Sequence, residues 1–132
     1  MSTTDVQRPP RWKPAALWTL KGLLAAVFLS AGGAKIYGVP IMVENFQQIG
    51  LGQWFRYLTG ILEIVGGIMV LMPPVVAIGG VLLSCIMVGA IATHLLLMGG
   101  SAFPAIVLLV LSAIIVFAHR DQIDDLFDRY DT

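Results

Sequence analysis

The 132-residue chain is 58% hydrophobic and only 12% charged, with 8 basic and 8 acidic residues and a mean hydropathy of +0.87. Average soluble domains are roughly half apolar and about a quarter charged, and a domain this small cannot hide such an excess, which excludes a water-soluble monomer. Zero formal net charge leaves no electrostatic footprint for nucleic acid, and the single cysteine, Cys85, excludes an internal disulfide, a CxxC pair and a cysteine-built metal site.

The charges are unevenly placed. Between Ile64 and Ala118 there is no Asp, Glu, Lys or Arg, the pattern of a polytopic helical membrane protein. In chain order, residues 1–14 read as a basic tail carrying Arg8, Arg11 and Lys13. Four runs long enough or nearly long enough to cross a bilayer follow, at about 15–36, 54–72, 75–98 and 102–118. Lipid offers the backbone no hydrogen-bond partner, so apolar runs without strand alternation imply helices. Pro73-Pro74 ends the second and opens the third. Gly99-Gly100-Ser101 ends the third, and Pro104 opens the fourth. The short connections make these helices antiparallel neighbours, so the expected fold is all-α, a four-transmembrane-helix bundle. The first loop carries Met42, Phe46 and Ile49 at spacings of four and three, with Glu44, Gln47 and Gln48 largely off that stripe. This suggests a short interfacial amphipathic helix opened by Pro40 and closed by Gly50, against the alternative of an irregular loop over the bundle. Residues 119–132 form an acidic tail, in which Ile123, Leu126, Phe127 and Tyr130 recur at helical spacing; a short surface helix and a solvated tail both fit.

Basic residues set the expected orientation. Arg8, Arg11, Lys13, Lys21, Arg120 and Arg129 fall on one side and only Lys35 and Arg56 on the other, so both termini are expected in the cytoplasm. The first helix is expected to stay uncleaved, because its apolar run is too long for a signal-peptide core.

Ionisable residues inside a membrane are costly and point to function. If the second helix enters near Trp54, Glu63 lies about 13 Å along it, near the bilayer middle. His94 lies about 6 Å from the outer end of the third helix, and Lys35 and Arg56 sit at the outer ends of the first and second. Arg56, Gly60, Glu63 and Gly67 share one face, as do Phe28, Ala31, Gly32 and Lys35, and as do Gly80, Ser84, Met87, Ala90, Ile91 and His94. These faces should point inward, with Gly60 and Gly67 serving packing. A common cavity toward the outer leaflet is therefore expected, with Glu63 deepest. Glu63 and His94 are the candidate catalytic residues. Lys35 and Arg56 are candidate ligand contacts, and Tyr37, Phe46 and Trp54 candidate rim aromatics. The plainer alternatives are a Glu63 pair with Lys35 or Arg56 that fixes helix register, a cross-helix hydrogen bond for His94, and interfacial anchoring for Tyr37 and Trp54.

The segment Phe28-Leu29-Ser30-Ala31-Gly32-Gly33-Ala34-Lys35, then Ile49-Gly50-Leu51, then Tyr57-Leu58-Thr59-Gly60-Ile61-Leu62-Glu63-Ile64-Val65-Gly66-Gly67, then Met87-Val88-Gly89-Ala90 and His94 together resemble the DoxX-like family of small four-helix membrane proteins. The resemblance runs from about Phe28 to His94. It implies that Lys35, Glu63 and His94 occupy recurring polar positions, and that the chain sits in a bacterial inner (plasma) membrane. The family takes its name from a membrane subunit of a thiosulfate:quinone oxidoreductase, while similar animal proteins assist receptor assembly, so the fold does not fix the activity.

Two functional classes follow. One is the quinone-binding membrane component of a redox complex, in which a carboxyl or imidazole supplies a proton to a quinone carbonyl. The chain has no flavin, nicotinamide or metal motif: Gly66-Gly67 and Gly79-Gly80 lie in spans, not after a strand. Electrons would then come from a redox protein partner. The other class is a non-catalytic bundle that binds a lipid-like molecule or assists assembly of another membrane protein.

Overall fold

The computed structural model describes residues 12–130, and among these every regular element is helical. Helix α1 spans Trp12–Tyr37, starting before the expected Ala15, because Pro14 is tolerated in a first turn. Arg8 and Arg11 lie outside the described residues. Gly38 closes α1 with φ +86°, and the N–H groups of Gly38 and Val39 both donate to the Ala34 carbonyl, a left-handed cap that suits glycine.

Helix α2 spans Pro40–Ile49, with Pro40 in its first turn and Gly50 at φ 82° as its C-cap. The expected boundaries stand, and the irregular-loop alternative falls. Helix α3 spans Gln53–Met69. A single 3₁₀ turn, Pro73–Val75, leads into α4, Val76–Thr93. The helix then widens into one π turn over His94–Met98, closed by Gly99 N–H donating to the His94 carbonyl at 2.8 Å. Helix α5 spans Phe103–Ala118 and α6 Arg120–Tyr130, the two bent by 59° to each other. The acidic tail is thus helical over its described part.

Helix α1 packs along α3, α3 on α4, α4 on α5, and α5 returns to α1, while α2 lies over α3, α1 and the π turn. The long helices alternate in direction. The start of α1, the start of α4 and the α5–α6 junction share one end, and α2 and the π turn share the other. The core comprises Leu24, Phe28, Val70, Val76, Leu83, Met87 and Ile115, among others.

Helices α1 and α3 approach each other closely at Gly32 and Gly60. A β-carbon on Gly32 would lie 2.7 Å from the Gly60 carbonyl oxygen, and one on Gly60 would lie 2.9 Å from that of Gly32. Only hydrogen at both positions lets α1 and α3 touch backbone to backbone. At the other end Gln122 of α6 caps α4: its amide accepts from Ala77 N–H at 3.0 Å and donates to the Pro73 carbonyl at 2.6 Å. That satisfies one of the orphan donors of a helix N-terminus.

The chain is an integral membrane protein. By length and composition, Pro14–Tyr37 and Pro73–Leu97 suffice to cross a bilayer, and α5 with α6 adds a third span if that bent pair is counted as one. Helices α3 and α5 have 17 and 16 residues, or about 26 and 24 Å, just short of the roughly 30 Å apolar slab.

Candidate functional site

The glycine crossing determines the chemistry beside it. Lys35 follows Gly32 by one turn, and its β-carbon lies 3.1 Å from the position a Gly60 β-carbon would take. Glu63 lies one turn deeper on α3. A helical side chain leans toward its own N-terminus, so Lys35 reaches inward along the bundle. Its Nζ meets Oε1 of Glu63 at 3.0 Å and Oε2 at 3.1 Å. The Glu63 side chain is 3% exposed and that of Lys35 13%. The carboxylate therefore has both oxygens on one ammonium.

Arg56 takes no part in that pair. It is buried, but its guanidinium donates to the Lys35 backbone carbonyl and, through Nε, to Gln53 Oε1 at 2.8 Å. It also lies 4.4 Å from the Tyr57 ring centroid. The Lys35 carbonyl belongs to the last turn of α1, where acceptors lack intrahelical donors and a cation is favoured. Helix capping therefore outcompetes the carboxylate for Arg56, which holds the backbone of Lys35.

A cavity of about 550 Å³ opens beside the ion pair. Lys35, Glu63 and His94 all line it, together with Phe28, Phe46 and Phe55. The stripe Met42, Phe46 and Ile49 of α2 faces into it, so this face packs on the bundle and not outward. Phe46 is buried, its ring 5.8 Å from that of Phe55. His94 Nδ1 lies 3.3 Å from the Gly99 carbonyl. A carbonyl only accepts, so that contact uses Nδ1–H and leaves Nε2 as the acceptor. The π turn sets the ring's position, and such turns recur at functional sites.

Three of the candidate contacts lie elsewhere. Arg56 is behind the Lys35 backbone, Tyr37 is 88% exposed, and Trp54 is 61% exposed with its indole N–H on the Leu51 carbonyl at 2.7 Å. None of the three lines the cavity. Tyr37 and Trp54 stand at the end of the bundle where interfacial aromatics anchor a helix.

The cavity also includes Asn45, Thr59 and Cys85, which the sequence reading did not assign to a site. Asn45 lies three residues after Met42 and four before Ile49, so the α2 stripe itself contained the signal. Thr59 is committed to the Phe55 carbonyl at 2.8 Å. Cys85 is exposed on α4. Cys85 and Gly89, both exposed, show that the wall reaches the lipid-facing surface. Among the described residues no three His, Cys, Asp or Glu side chains gather as a metal set. The site is a largely apolar chamber with one ion pair and one imidazole on its wall.

The family described as DoxX-like matches residues 19–118. The chain is 37% identical over 99 residues to "Uncharacterized protein YdgD" of Bacillus subtilis, covering 69% of this chain and 87% of that protein. It is 30% identical over 93 residues to "Putative oxidoreductase CatD" of the same organism, covering 68% of this chain and 69% of that one. No solved structure matches.

Proposed function

The chain belongs to the DoxX-like family, and from that premise we propose that it is the membrane subunit of a redox complex and holds a quinone-class molecule in the cavity. The observation that carries this reading is the meeting of Lys35, Glu63 and His94 on the wall of one 550 Å³ chamber that is otherwise mostly apolar. A quinone offers an apolar ring and tail with a hydrogen-bond acceptor at each end. The aromatic wall suits the ring, and the opening along Cys85 and Gly89 suits entry from lipid.

Reduction of a quinone takes up two electrons and two protons. The electrons come from a partner protein; this chain's residues orient the two carbonyls and relay one proton, and the second proton comes from water at the membrane surface. The Lys35 ammonium donates a hydrogen bond to a carbonyl oxygen, with Glu63 fixing its position. His94, held through Nδ1–H on the Gly99 carbonyl, takes up a proton at Nε2 and passes it to the second carbonyl oxygen. All four long helices cross the membrane in this reading, with both termini in the cytoplasm of a bacterium and the cavity in the outer half.

The test uses Cys85, which lines the cavity and is accessible. A short-tailed quinone should slow alkylation of Cys85 in the wild type and fail to do so in Glu63→Gln. Mass spectrometry after gentle extraction should find a retained quinone. An alkylation rate indifferent to saturating quinone overturns the reading. A second class, a non-catalytic lipid-binding or assembly role, draws on the completed Lys35–Glu63 pair, which by itself fixes helix register. Retained phospholipid without quinone would favour it.

A further inference from the structure

A second cation is buried at the opposite end of the bundle. Lys21 is 5% exposed, and among the described residues no carboxylate stands within ion-pair distance of it. Its ammonium rests 4.7 Å from the Trp18 ring centroid, which offsets part of the lost hydration. Within electrostatic reach of it, at the α5–α6 junction, is His119, whose Nε2 is buried and has no hydrogen-bond partner among the described residues. The Lys21 and Asp121 charges both act on that imidazole. Ser112, two turns earlier on α5, carries another buried polar atom, Oγ, without a partner among the described residues. Burying an ammonium without a countercharge is expensive, and here it is buried near an imidazole nitrogen with no partner among the described residues.

We propose that Lys21 and His119 form a seat for a phosphate-type anion, supplied by the headgroup of an anionic lipid or by free phosphate. Lys21 lies seven residues after Pro14, about 10 Å along α1. Its side chain leans back toward the helix start, which brings the ammonium to headgroup level. Trp18, 50% exposed, borders the seat as an interfacial aromatic does. The seat is independent of the cavity, because Leu24 and Phe28, 1% and 0% exposed, fill the bundle between them.

The full chain is purified in a non-ionic detergent, and thermal unfolding is followed with phosphatidylglycerol, phosphatidylcholine or inorganic phosphate added. Phosphatidylglycerol should raise the Tm by about 3–5 °C, phosphatidylcholine should not, and Lys21→Met should abolish the difference. A shift given equally by inorganic phosphate would assign the seat to a soluble anion. Native mass spectrometry should count one fewer phosphatidylglycerol on Lys21→Met. His119→Phe, which removes the ring nitrogens and keeps an aromatic at the junction, should weaken the shift and covers the case in which Lys21→Met fails to fold. Equal shifts from both lipids in the wild type, or an undiminished phosphatidylglycerol response in whichever of these variants fold, overturn the proposal.

Discussion

Glu63 and Lys35 satisfy each other in a medium that can solvate neither alone. Replacing one leaves the other charge stranded, which in buried pairs costs about 3–5 kcal/mol, whereas replacing both with apolar residues is often close to neutral. Glu63→Leu should therefore lower the melting temperature in detergent sharply, and adding Lys35→Met should restore most of the loss. Asp124→Ala and Asp128→Ala, on the exposed side of α6, should change stability by less than about 0.5 kcal/mol. The identity of this pair was half legible in the sequence. The charge-free run after Glu63 marked it as exceptional, but Lys35 and Arg56 were equal contenders. Only the free carbonyl at the end of α1 decides between them, and a backbone acceptor leaves no mark on residue type. His119 gives a second residue-scale prediction. Burial, then the Lys21 charge, push its imidazole below the usual 6.5, with Asp121 pulling weakly the other way. The unfolded chain thus protonates first as pH falls. The stability His119 contributes is present above about pH 6.5 and is lost as pH drops toward its folded value. Thermal melts between about pH 7.5 and pH 5 should show a falling Tm that flattens in His119→Gln.

At the scale of elements, two glycines let α1 and α3 meet, and a third, on the same helix as the first, makes a clean control. Gly60→Ala would drive a methyl group into the Gly32 carbonyl oxygen and the Lys35 β-carbon. Such overpacking costs about 1–3 kcal/mol, and it should also pull Lys35 off Glu63. A β-carbon on Gly33 meets nothing within 4 Å, so Gly33→Ala should be neutral or slightly stabilising through helix propensity. Denaturation of the two variants side by side checks this. Equal losses would show that the crossing is not tight. The element boundaries were mostly legible, since Pro40, Gly50, Pro73-Pro74 and Pro104 act locally. The Gln122 cap on α4 was not, because its partners stand 45 and 49 residues away, and no local pattern encodes such a contact. The π turn was equally hidden: His94 to Met98 reads as ordinary helix, and no residue in it signals the wider turn that Gly99 N–H closes on the His94 carbonyl.

For the whole molecule, the question is how a bundle with two short members sits in a bilayer. A helix shorter than the apolar slab is accommodated by thinning the bilayer or by flanking residues that reach the interface, at fractions of a kcal/mol per Å. Helices α3 and α5 fall short by only a few Å on the roughly 30 Å scale. Helix α3 runs antiparallel to α1 with their backbones in contact at Gly32 and Gly60, so it cannot lie flat while α1 stands upright. The packing therefore favours four crossings, which put the α2 segment and the Pro73-Pro74 turn on opposite faces. Two crossings, by α1 and α4 alone, would put both on one face. In a Cys85→Ser background, single cysteines at Asn45 and Pro74 should be labelled by a membrane-impermeant maleimide from opposite sides of sealed, oriented vesicles. The basic residues at the end of the bundle shared by the start of α1 and the α5–α6 junction, Lys21 and Arg120 among them, predict that Asn45→Cys is the one labelled from outside. Labelling of both cysteines from the same side would reject four crossings. Labelling of Pro74→Cys alone from outside would keep the bundle and invert it, moving the Lys35–Glu63 cavity to the cytoplasmic half.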